Sequence, residues 1–352
     1  MKQTVLVMFG GASTEHEVSC VSATFVISNL DKEKYNMIPL GIDRSGRWFI
    51  YNGGIEKIEN DTWDTDTENL VPVAGAVRGG IHAFAKQKGD FELIPVDVVF
   101  PVLHGKNGED GTLQGMLTLC GIPFAGCGMY SSAVCMDKAA AKIICEAEGI
   151  ATAPFEVARN TPDLDVSALI EKCEKRFGYP VFIKPANAGS SVGVTKALGR
   201  DAFEKGIEKA FENDRKLLVE KAIRGKEIEV AVIGNDSPEA PCCGEIVPNA
   251  DFYDYETKYV NDNSRAYIPA RIEPEVARRV CDTAKKIFRA LDCAGMARVD
   301  FFVDGEEIIF NEINTIPGFT SISMYPKMMM HGGRTASGLL DELIALACEA
   351  KR

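Results

Sequence analysis

Residues 296–314 read MARVDFFVDGEEIIFNEIN, a run of apolar side chains interrupted by charged and amide groups. The pattern predicts a β-hairpin. Side chains alternate between the two faces of a strand, so Arg298 shares a face with Asp300 in the first strand. Glu312 shares a face with Asn314 in the second strand for the same reason. Whether all four lie on one side depends on the turn that joins the strands.

The turn is at Asp304-Gly305, where two loop lengths are compatible with the sequence. A two-residue turn would pair Val303 with Glu306 and place the carboxylates of the two strands on opposite faces. A three-residue loop that includes Val303, with Gly305 in the left-handed conformation, would pair Phe302 with Glu306 instead. With the three-residue loop, one face has three oxygen-bearing side chains: Asp300, Glu312 and Asn314.

Three hard oxygen ligands on one face suit Mg²⁺, which proteins bind through one or two carboxylates together with substrate phosphates. The alternative interpretation is a solvated strand face that binds nothing. The large apolar residues at 301–302 and 308–310 argue against it, because they predict a largely buried hairpin. Buried carboxylates need a partner, so we predict that Asp300, Glu312 and Asn314 bind metal.

The segment KPANAGSSVGV (184–194) places a Lys at the end of a predicted strand, before a Gly- and Ser-rich loop. Small side chains let backbone N–H groups and hydroxyls close on phosphate oxygens, and Lys184 adds a point charge. The segment differs from the P-loop, which requires Gly-x-x-x-x-Gly-Lys-Ser/Thr. A Gly-rich surface turn is the alternative interpretation of this loop taken alone.

Two further loops follow predicted strands and precede predicted helices, the place where ligands bind in open α/β sheets. HGKNGEDGTLQG (104–115) contains four glycines, which indicate special backbone angles or close approach of another group. GGASTEHEVS (10–19) offers Ser13 or Thr14 as a helix N-cap. Glu15 would then lie in the first helical turn, where the helix dipole favours an anion. Simple helix-start chemistry is the alternative to a binding role for Glu15.

The rest of the chain alternates predicted strands and helices, which in the first 130 residues predicts a mostly parallel sheet covered by helices. Residues 52–70 are polar and predict a surface excursion, and Ser131–Gly149 predicts one helix that Gly149 ends. Other strands are predicted at Thr4–Phe9, Tyr35–Ile42, Val96–Leu103, Pro154–Ala158, Pro180–Lys184, Leu217–Ala222, Ile228–Ile233 and Gly244–Val247. Other helices are predicted after the first strand (apolar face Val18, Val21, Phe25, Val26), at Gly111–Cys120, near 163–177 and 201–212, from Pro274, and at the C-terminus.

Composition narrows the class of protein. The chain has 352 residues, which at about 150 residues per domain corresponds to two or three domains. Hydrophobic residues make up 46% and charged residues 26%, which excludes a disordered, collagen-like or small disulfide-rich protein. With 51 acidic and 39 basic residues the net charge is −12, a field that excludes nucleic acid and anionic membranes as generic partners.

Cysteine usage and hydropathy predict a cytoplasmic location. The 11 cysteines are an odd number without a Cys-x-x-Cys pair, which is typical of buried free thiols in a reducing compartment. The sequence has no apolar run near 18 residues, and its N-terminus lacks the features of a signal peptide. We therefore expect no transmembrane helix.

Taken together, these segments resemble the D-alanine–D-alanine ligase family of the ATP-grasp superfamily, over nearly the whole chain. Seven motifs occur in order: GGASTEHEVS, HGKNGEDGTLQG, MDK (136–138), KPANAGSSVG, LVEKAIRGKE (218–227), FYDYETKYV (252–260) and RVDFF…NEINTIPGFTS from 298. The resemblance implies an α/β fold, α+β in its ATP-binding part: a three-domain ATP-grasp fold whose N-terminal domain is an open parallel sheet that binds substrate. The implied domains are 1–131, 132–223 and 224–352, the last with a lid loop at 251–264.

The resemblance also implies the reaction and its cofactors. ATP would convert the carboxylate of a first D-alanine to D-alanyl phosphate, and a second D-alanine would attack it, giving ADP, phosphate and the dipeptide for peptidoglycan synthesis. Asp300, Glu312 and Asn314 would bind two Mg²⁺ ions, for which Mn²⁺ can substitute. The implied ATP-binding residues are Lys138 and Lys184 at the phosphates, Glu220, Lys221 and Ile223 at the adenine, and Glu227 at the ribose. A homodimer is the implied assembly.

For the D-alanine sites, the resemblance implies that Glu15 binds the ammonium of the first substrate and that His104 lies near it. Arg298 and the backbone N–H of Gly318 would stabilise the oxyanion. The remaining implied residues are Tyr259, closing from the lid and linked to Ser190 and Glu15, and Lys258, Ser323 and Met324 at the second substrate.

Two positions depart from the family pattern near the second-substrate pocket: Ile322 stands where many members have His, and Met324 stands where D-alanine-specific members usually have Leu. One alternative function is therefore a D-alanine–D-serine ligase of the vancomycin-resistance type. A different class of alternative is a non-catalytic nucleotide-binding protein with the same fold. Lys184, Arg298 and the three metal-binding residues argue against that class, because a degenerate site tends to lose its metal ligands.

Overall fold

Three β-sheets organise the computed structural model of the chain, which describes residues 2–247 and 265–350. The first sheet is built from β1 (Gln3–Gly10), β2 (Tyr35–Ile42), β3 (Trp48–Tyr51), β4 (Leu70–Val77), β5 (Gly80–Ala85), β6 (Asp90–Pro95) and β7 (Val98–Pro101). The order across this sheet is β6-β5-β4-β3-β2-β1-β7. The predicted first strand and the strand at Tyr35–Ile42 therefore lie side by side.

The first sheet is mixed, so the prediction of a mostly parallel sheet is wrong. β1 pairs in parallel with β2 and β7, whereas β2 to β6 pair antiparallel with one another in succession. The difference comes from residues 48–51 and 70–95, where the sequence predicted no strand. Residues 70–95 form the β4–β6 meander, and the largely exposed side chains of β6 explain the absence of an apolar run there.

Residues 52–70 contact the core more closely than their polar composition predicts. They include α2 (Ile55–Glu59) and the fully buried Trp63, whose ring lies 5.1 Å from that of Phe9. A Cβ atom on Gly41 would lie only 2.4 Å from the indole ring, which is too close for any side chain. A glycine is therefore required at this position of β2. Most of residues 52–70 are exposed or half-buried, as a surface excursion requires, but the buried Ile58 and Trp63 anchor the segment to the core.

The helix after β1, α1 (His16–Asn29), buries a different face from the predicted one. Val21 is exposed, while the small residues Ser19 and Ser22 are fully buried. The Ser19 hydroxyl accepts a hydrogen bond from the N–H of Gly10 and donates one to the carbonyl of Val102. Polar side chains that satisfy backbone groups have replaced part of the apolar stripe, and they fix the loop between β1 and α1.

Two helices, α4 (Met129–Met136) and α5 (Lys138–Ala147), follow α3 (Thr112–Leu119) where the sequence predicted one helix over Ser131–Gly149. The break is at Asp137, which has an extended backbone and caps α5 by accepting from the N–H groups of Ala139 and Ala140 at 3.1 Å each. Both apolar patterns are helical, so only the capping carboxylate marks the boundary. The cap directs Lys138 toward the site described below.

The second sheet is antiparallel and contains β8 (Phe155–Arg159), β9 (Val181–Pro185), β10 (Thr195–Ala197) and β11 (Lys216–Lys221), in the order β10-β9-β11-β8. Helices α6 (Val166–Phe177) and α7 (Arg200–Phe211) pack on it through a separate core that includes Ile170, Phe203 and Leu217. The loop predicted to bind phosphate, 184–194, joins β9 to β10.

The third sheet is also antiparallel, with β12 (Lys226–Gly234), β13 (Cys243–Val247), β14 (Arg265–Tyr267), β15 (Gly295–Asp304) and β16 (Glu307–Asn314) in the order β14-β13-β12-β15-β16. The helix predicted from Pro274 is α8 (Pro274–Ala290), which buries Val276, Val280, Ala284, Ile287 and Phe288 against this sheet. α9 (Met324–His331) and α10 (Ala336–Glu349) share a core with β1 and β7, which joins this part of the chain to the first sheet.

The three sheets use residues 3–101, 155–221 and 226–314, in that order along the chain. The exact domain boundaries 1–131, 132–223 and 224–352 stay a prediction. Among the described residues, no helix has the length and apolar character needed to cross a membrane. The lid prediction for 251–264, with Lys258 and Tyr259, lies outside the described residues.

Candidate active site

The hairpin of β15 and β16 brings the predicted metal-binding residues onto one face, by a different route from the predicted one. Asp304 pairs with Glu307, so the loop consists of two residues and the predicted pairing of Phe302 with Glu306 is wrong. A β-bulge beside Asp300 restores the common face, because it shifts the register by one residue. Asp300 then pairs with Glu312, and Arg298 pairs with Asn314.

Arg298 is held between carboxylates on this face. Its Nε and Nη2 donate to the two oxygens of Asp300 at 2.8 and 2.7 Å, and its Nε lies 3.3 Å from an oxygen of Glu229. Burial alone would lower the pKa of Arg298, but Asp300 and Glu229 outweigh it and hold the pKa well above its ordinary value. Sequence reasoning missed Glu229, which is recognisable only from the register that places it beside Asp300 in β12.

The donor set on the hairpin fits a divalent cation. Asn314 donates its Nδ2 to Asp300 at 3.1 Å, an orientation that turns its Oδ1 away from that carboxylate and makes it available as a ligand. Glu312 lies directly across from Asp300. Two carboxylates and an amide oxygen are hard ligands of the kind that Mg²⁺ prefers.

Two lysines from different elements face the hairpin. Lys138, at the start of α5, lies 3.3 Å from a carboxylate oxygen of Glu312 and donates to the carbonyl of Ala188 in the 184–194 loop at 2.9 Å. Lys184, in β9, donates to the Asn311 side chain at 3.4 Å. Lys138 therefore lies beside a predicted metal-binding oxygen and Lys184 lies beside the same strand, an arrangement that suits a polyphosphate.

Lys184 is paired with a buried carboxylate. Its Nζ lies 2.6 Å from Glu220 Oε2, and the other oxygen of Glu220 lies 3.1 Å from Nζ of the fully buried Lys142. Burial would raise the pKa of Glu220, but the charges of Lys142 and Lys184 lower it to about 2. Sequence reasoning assigned Glu220 to the adenine pocket and missed Lys142.

The 184–194 loop has an uncommon backbone. Ser190 and Ser191 have φ values of +47° and +59°, in the left-handed region that side chains other than Gly rarely adopt. Such residues cost about 1–3 kcal/mol each and concentrate at binding sites. The Ser190 hydroxyl donates to Glu15 across 175 residues of sequence. The loop is therefore held in place by contacts with Glu15 and with Lys138.

Glu15 occupies the N-cap position of α1, so the predicted N-caps, Ser13 and Thr14, and the predicted first-turn position of Glu15 are wrong. Its carboxylate lies between two glycines from different loops. A Cβ on Gly105 would lie 2.5 Å from Glu15 Oε2, and a Cβ on Gly189 would lie 2.8 Å from it. The group that approaches the glycines Gly105 and Gly189 closely is therefore the Glu15 carboxylate.

His104 lies behind Glu15 and is buried. Its Nδ1 lies 3.0 Å from the carbonyl oxygen of Ile316, and its Nε2 lies 3.0 Å from the Ser22 hydroxyl. Burial would lower the pKa of His104, but the carboxylates of Glu109 and Glu15 raise it above its ordinary value. The imidazole thus joins the 104–115 loop to the segment that follows β16.

These groups surround one cavity of about 500 Å³, within the usual range for small-molecule sites. Of the predicted site residues, the cavity is lined by Glu15, His104, Lys138, Lys184, Ser190, Glu220, Lys221, Ile223, Glu227, Arg298, Glu312, Asn314 and Gly318. Asp300 lies beside them through its contacts with Arg298 and Asn314.

Ser323 and Met324 lie at the edge of this arrangement. The Ser323 hydroxyl bonds Thr320, and it would lie 2.9 Å from a Cβ on Gly318, so the Gly318 backbone passes close to it. Met324 is buried outside the cavity lining, and its Cε lies where a Cβ on Gly244 would be. Ile322 is 66% exposed.

Comparison with known proteins gives two family-model matches, "D-ala D-ala ligase N-terminus" over residues 4–127 and "D-ala D-ala ligase C-terminus" over residues 144–345. Curated relatives include D-alanine–D-alanine ligases from Caldicellulosiruptor bescii (49% identity over 100% of this chain and 96% of the relative) and Clostridium novyi (49% identity over 99% of each).

Solved structures with the same fold include the VanG D-Ala:D-Ser ligase from Enterococcus faecalis (TM-score 0.90, 44% identity, 99% of this chain and 100% of that one). The D-alanine–D-alanine ligase from Coxiella burnetii has a TM-score of 0.86 and 35% identity over 99% of this chain and 96% of that one. These similarities confirm the predicted ATP-grasp fold.

Proposed function

This chain belongs to the D-alanine–D-alanine ligase family, and we propose that it joins two D-alanine molecules with ATP, giving ADP and phosphate. One observation carries the proposal: Lys138, Lys184 and Glu15 line the same cavity, and the two lysines face oxygens of the β15–β16 hairpin there. Ammonium groups and metal-type oxygens suit a nucleotide, and a carboxylate between glycines suits an amino group.

The first step is phosphorylation of the D-alanine carboxylate, which is a poor electrophile until it becomes an acyl phosphate. Lys138 and Lys184 bind the phosphates. Asp300, Glu312 and Asn314 would hold two Mg²⁺ ions, for which Mn²⁺ can substitute, and these would supply positive charge to the transferring phosphoryl group. Positioning and electrostatic stabilisation are the main contributions that a protein makes to such a transfer.

In the second step, the amine of the second D-alanine attacks the acyl phosphate and a tetrahedral intermediate loses phosphate. Arg298 and the N–H of Gly318 stabilise the oxyanion, and Glu15 holds the ammonium of the first D-alanine. Ser323 meets the carboxylate of the second one. Water would destroy the acyl phosphate, which explains the need for a lid. Residues 251–264, with Lys258 and Tyr259, stay the predicted lid.

The adenosine part of ATP lies against β11 and the segment after it. Ile223, the backbone of Glu220 and the stem of Lys221 line the adenine subsite, because the Glu220 carboxylate faces Lys142 and Lys184 instead. Glu227 accepts hydrogen bonds from the ribose hydroxyls. Support comes from their shared position in the cavity lining, next to Lys184. The cytoplasmic location and the homodimer remain predictions from sequence.

A D-alanine–D-serine ligase is the second candidate, because the VanG D-Ala:D-Ser ligase is 44% identical to this chain. D-serine needs a partner for its hydroxyl. Met324 is apolar and lies outside the described cavity lining, so it supplies none, and leaving the hydroxyl unpaired costs about 1–3 kcal/mol. We therefore expect D-alanine to win at the second site. In this interpretation Met324→Arg moves the product ratio toward D-alanyl-D-serine.

The test is phosphate release from ATP with a panel of D-amino acids, scored together with product mass. D-alanine alone should give D-alanyl-D-alanine, and an equal mixture of D-alanine and D-serine should give mainly the same dipeptide. A majority of D-alanyl-D-serine would select the second candidate. Nucleotide binding without phosphate release in the presence of D-alanine would select the non-catalytic class and contradict the proposal.

A further inference from the structure

We propose that Lys142 is a positioning residue for ATP: it shares the Glu220 carboxylate with Lys184 and thereby leaves the Lys184 ammonium available to a phosphate. The inference rests on the proposed function and adds a residue to it. Lys142 lies outside the set of predicted nucleotide-binding residues.

The geometry places one carboxylate between two ammonium groups. Glu220 Oε1 lies 3.1 Å from Lys142 Nζ, and Glu220 Oε2 lies 2.6 Å from Lys184 Nζ. Lys142 also donates to the carbonyl of Phe310 at 3.3 Å, and its Nζ lies 5.7 Å from the centre of the Phe310 ring. Two positive charges facing one negative charge leave the group with one net positive charge beside the phosphate-binding loop.

Lys142 has no surface role that would explain its charge, because its side chain is 1% exposed. Burying a lysine is costly, and an apolar residue of similar volume usually packs at least as stably in such a position. The charge therefore points to a role at the adjoining site. Burial lowers the pKa of Lys142, while the Glu220 carboxylate opposes this effect and favours the ammonium form.

The helix that supplies Lys142 also supplies Lys138. Residues four apart lie on the same face of a helix, so both lysines of α5 point toward the same side. Lys138 reaches the 184–194 loop directly, whereas Lys142 reaches Glu220, which in turn contacts Lys184. One face of α5 thus supplies two lysines to the phosphate site: Lys138 contacts the loop itself, and Lys142 acts through Glu220 on Lys184.

If Lys142 became neutral, Glu220 would keep Lys184 as its close cationic partner. A strengthened Lys184–Glu220 pair competes with the bond from Lys184 to phosphate, so ATP affinity falls while the D-alanine site is unchanged. A merely structural role for Lys142 would lower stability without this selective effect. It would also give no recovery when the charge of Glu220 is removed as well.

The experiment compares Lys142→Met, Lys142→Arg and the double variant Lys142→Met/Glu220→Gln with the parent chain. Cys145→Ala is the matched control, because Cys145 is fully buried on the same helix and burial raises the pKa of its thiol to about 12, so the thiol is neutral. Binding of ATP and ADP with Mg²⁺ is measured by calorimetry, and the KM values for ATP and D-alanine by phosphate release.

Lys142→Met should raise the Kd and KM for ATP about tenfold, the effect of weakening one charge-assisted hydrogen bond, and leave the KM for D-alanine within about twofold. Lys142→Arg and the double variant should recover most of the ATP affinity, and Cys145→Ala should retain all of it. The neutral Met/Gln pair also serves as the test if Lys142→Met does not fold, because the double variant leaves no buried carboxylate without its second cation.

Unchanged ATP affinity in a folded Lys142→Met chain overturns the inference. A double variant that binds ATP no better than Lys142→Met also overturns it. If Lys142→Met does not fold, a double variant that binds ATP far more weakly than the parent overturns it. Calorimetry of nucleotide binding does not depend on ligation. Absence of phosphate release by the parent chain would therefore contradict the proposed function, and the binding results would still decide the role of Lys142.

Discussion

Replacing Gly105 by Ala should selectively damage D-alanine binding, because the new methyl group would press on Glu15. The Cβ would lie 2.5 Å from Glu15 Oε2 and 2.9 Å from the Ser13 hydroxyl. Gly105 also has a φ of +73°, so an Ala there adopts a left-handed backbone conformation. The substitution therefore combines two effects, a steric collision with Glu15 and backbone strain. Substitutions at two other glycines produce one effect each.

Gly189→Ala and Gly46→Ala are the matched controls. A Cβ on Gly189 would lie 2.8 Å from the same Glu15 oxygen, but Gly189 does not have a positive φ. Gly46 has a φ of +82°, and a Cβ there would have nothing within 4 Å. Gly189→Ala thus tests the collision alone, and Gly46→Ala tests the strain alone.

The magnitudes follow from these distances. Left-handed strain should lower the free energy of unfolding by about 1–2 kcal/mol in Gly105→Ala and in Gly46→Ala. To regain an ordinary separation of about 3.5 Å, the carboxylate of Glu15 must move by about 1 Å in Gly105→Ala and by somewhat less in Gly189→Ala. A displacement of about 1 Å at a positioning group can reduce kcat/KM about 10²-fold.

The assay is phosphate release at saturating ATP over a range of D-alanine concentrations, with urea unfolding of each variant. We expect kcat/KM for D-alanine to fall most in Gly105→Ala, less in Gly189→Ala, and to stay at the parent value in Gly46→Ala. Equal losses of activity in Gly105→Ala and Gly46→Ala would assign the effect to strain. Full activity in both Gly105→Ala and Gly189→Ala would refute the role of Glu15.

Three further predictions concern the metal face and α5. Glu312→Gln should reduce turnover by about 10²–10³ with the fold intact by circular dichroism, whereas Glu307→Gln, exposed on the same strand, should not; near-normal turnover of Glu312→Gln at saturating Mg²⁺ would contradict the metal assignment. The pKa of Glu220 is about 2 against an ordinary 4.5, so its contribution to stability should be complete above about pH 4.5 and be lost as the pH falls toward 2. Urea unfolding across this range should show a smaller pH dependence for Glu220→Gln than for the parent chain. Asp137→Ala removes the cap of α5 and the ion pair with Lys216, and should lower the free energy of unfolding by about 1 kcal/mol or more in the same assay; an unchanged value would show that the cap is redundant.

The hairpin shows how far sequence reasoning extends. Strand alternation alone correctly paired Arg298 with Asp300 and Glu312 with Asn314 on common faces. The relation between the two strands required the loop length, and the structure uses a two-residue loop with a bulge instead of a three-residue loop. The common face was predicted, but its cause was not, because a bulge leaves no turn-type pattern in the sequence.

Lys142 and Glu229 show where sequence reasoning stops. Lys142 follows the predicted phosphate-binding Lys138 by one helical turn. Its partner Glu220, however, is 78 positions further along the chain, in strand β11 of the second sheet. Glu229 is recognisable as a site residue only because it pairs with Asp300 across β12 and β15. Neither residue type is unusual for its element, so only tertiary proximity distinguishes them from solvated surface charges.

The hydrogen bond from Ser190 to Glu15 has a consequence for how the two substrates bind. It connects the loop proposed for nucleotide phosphates to the carboxylate proposed for the first D-alanine, so a ligand that orders one group orders the other. Such coupling is reciprocal: the factor by which nucleotide tightens D-alanine binding equals the factor by which D-alanine tightens nucleotide binding. The hydrogen bond therefore predicts that each substrate binds more tightly when the other is already present.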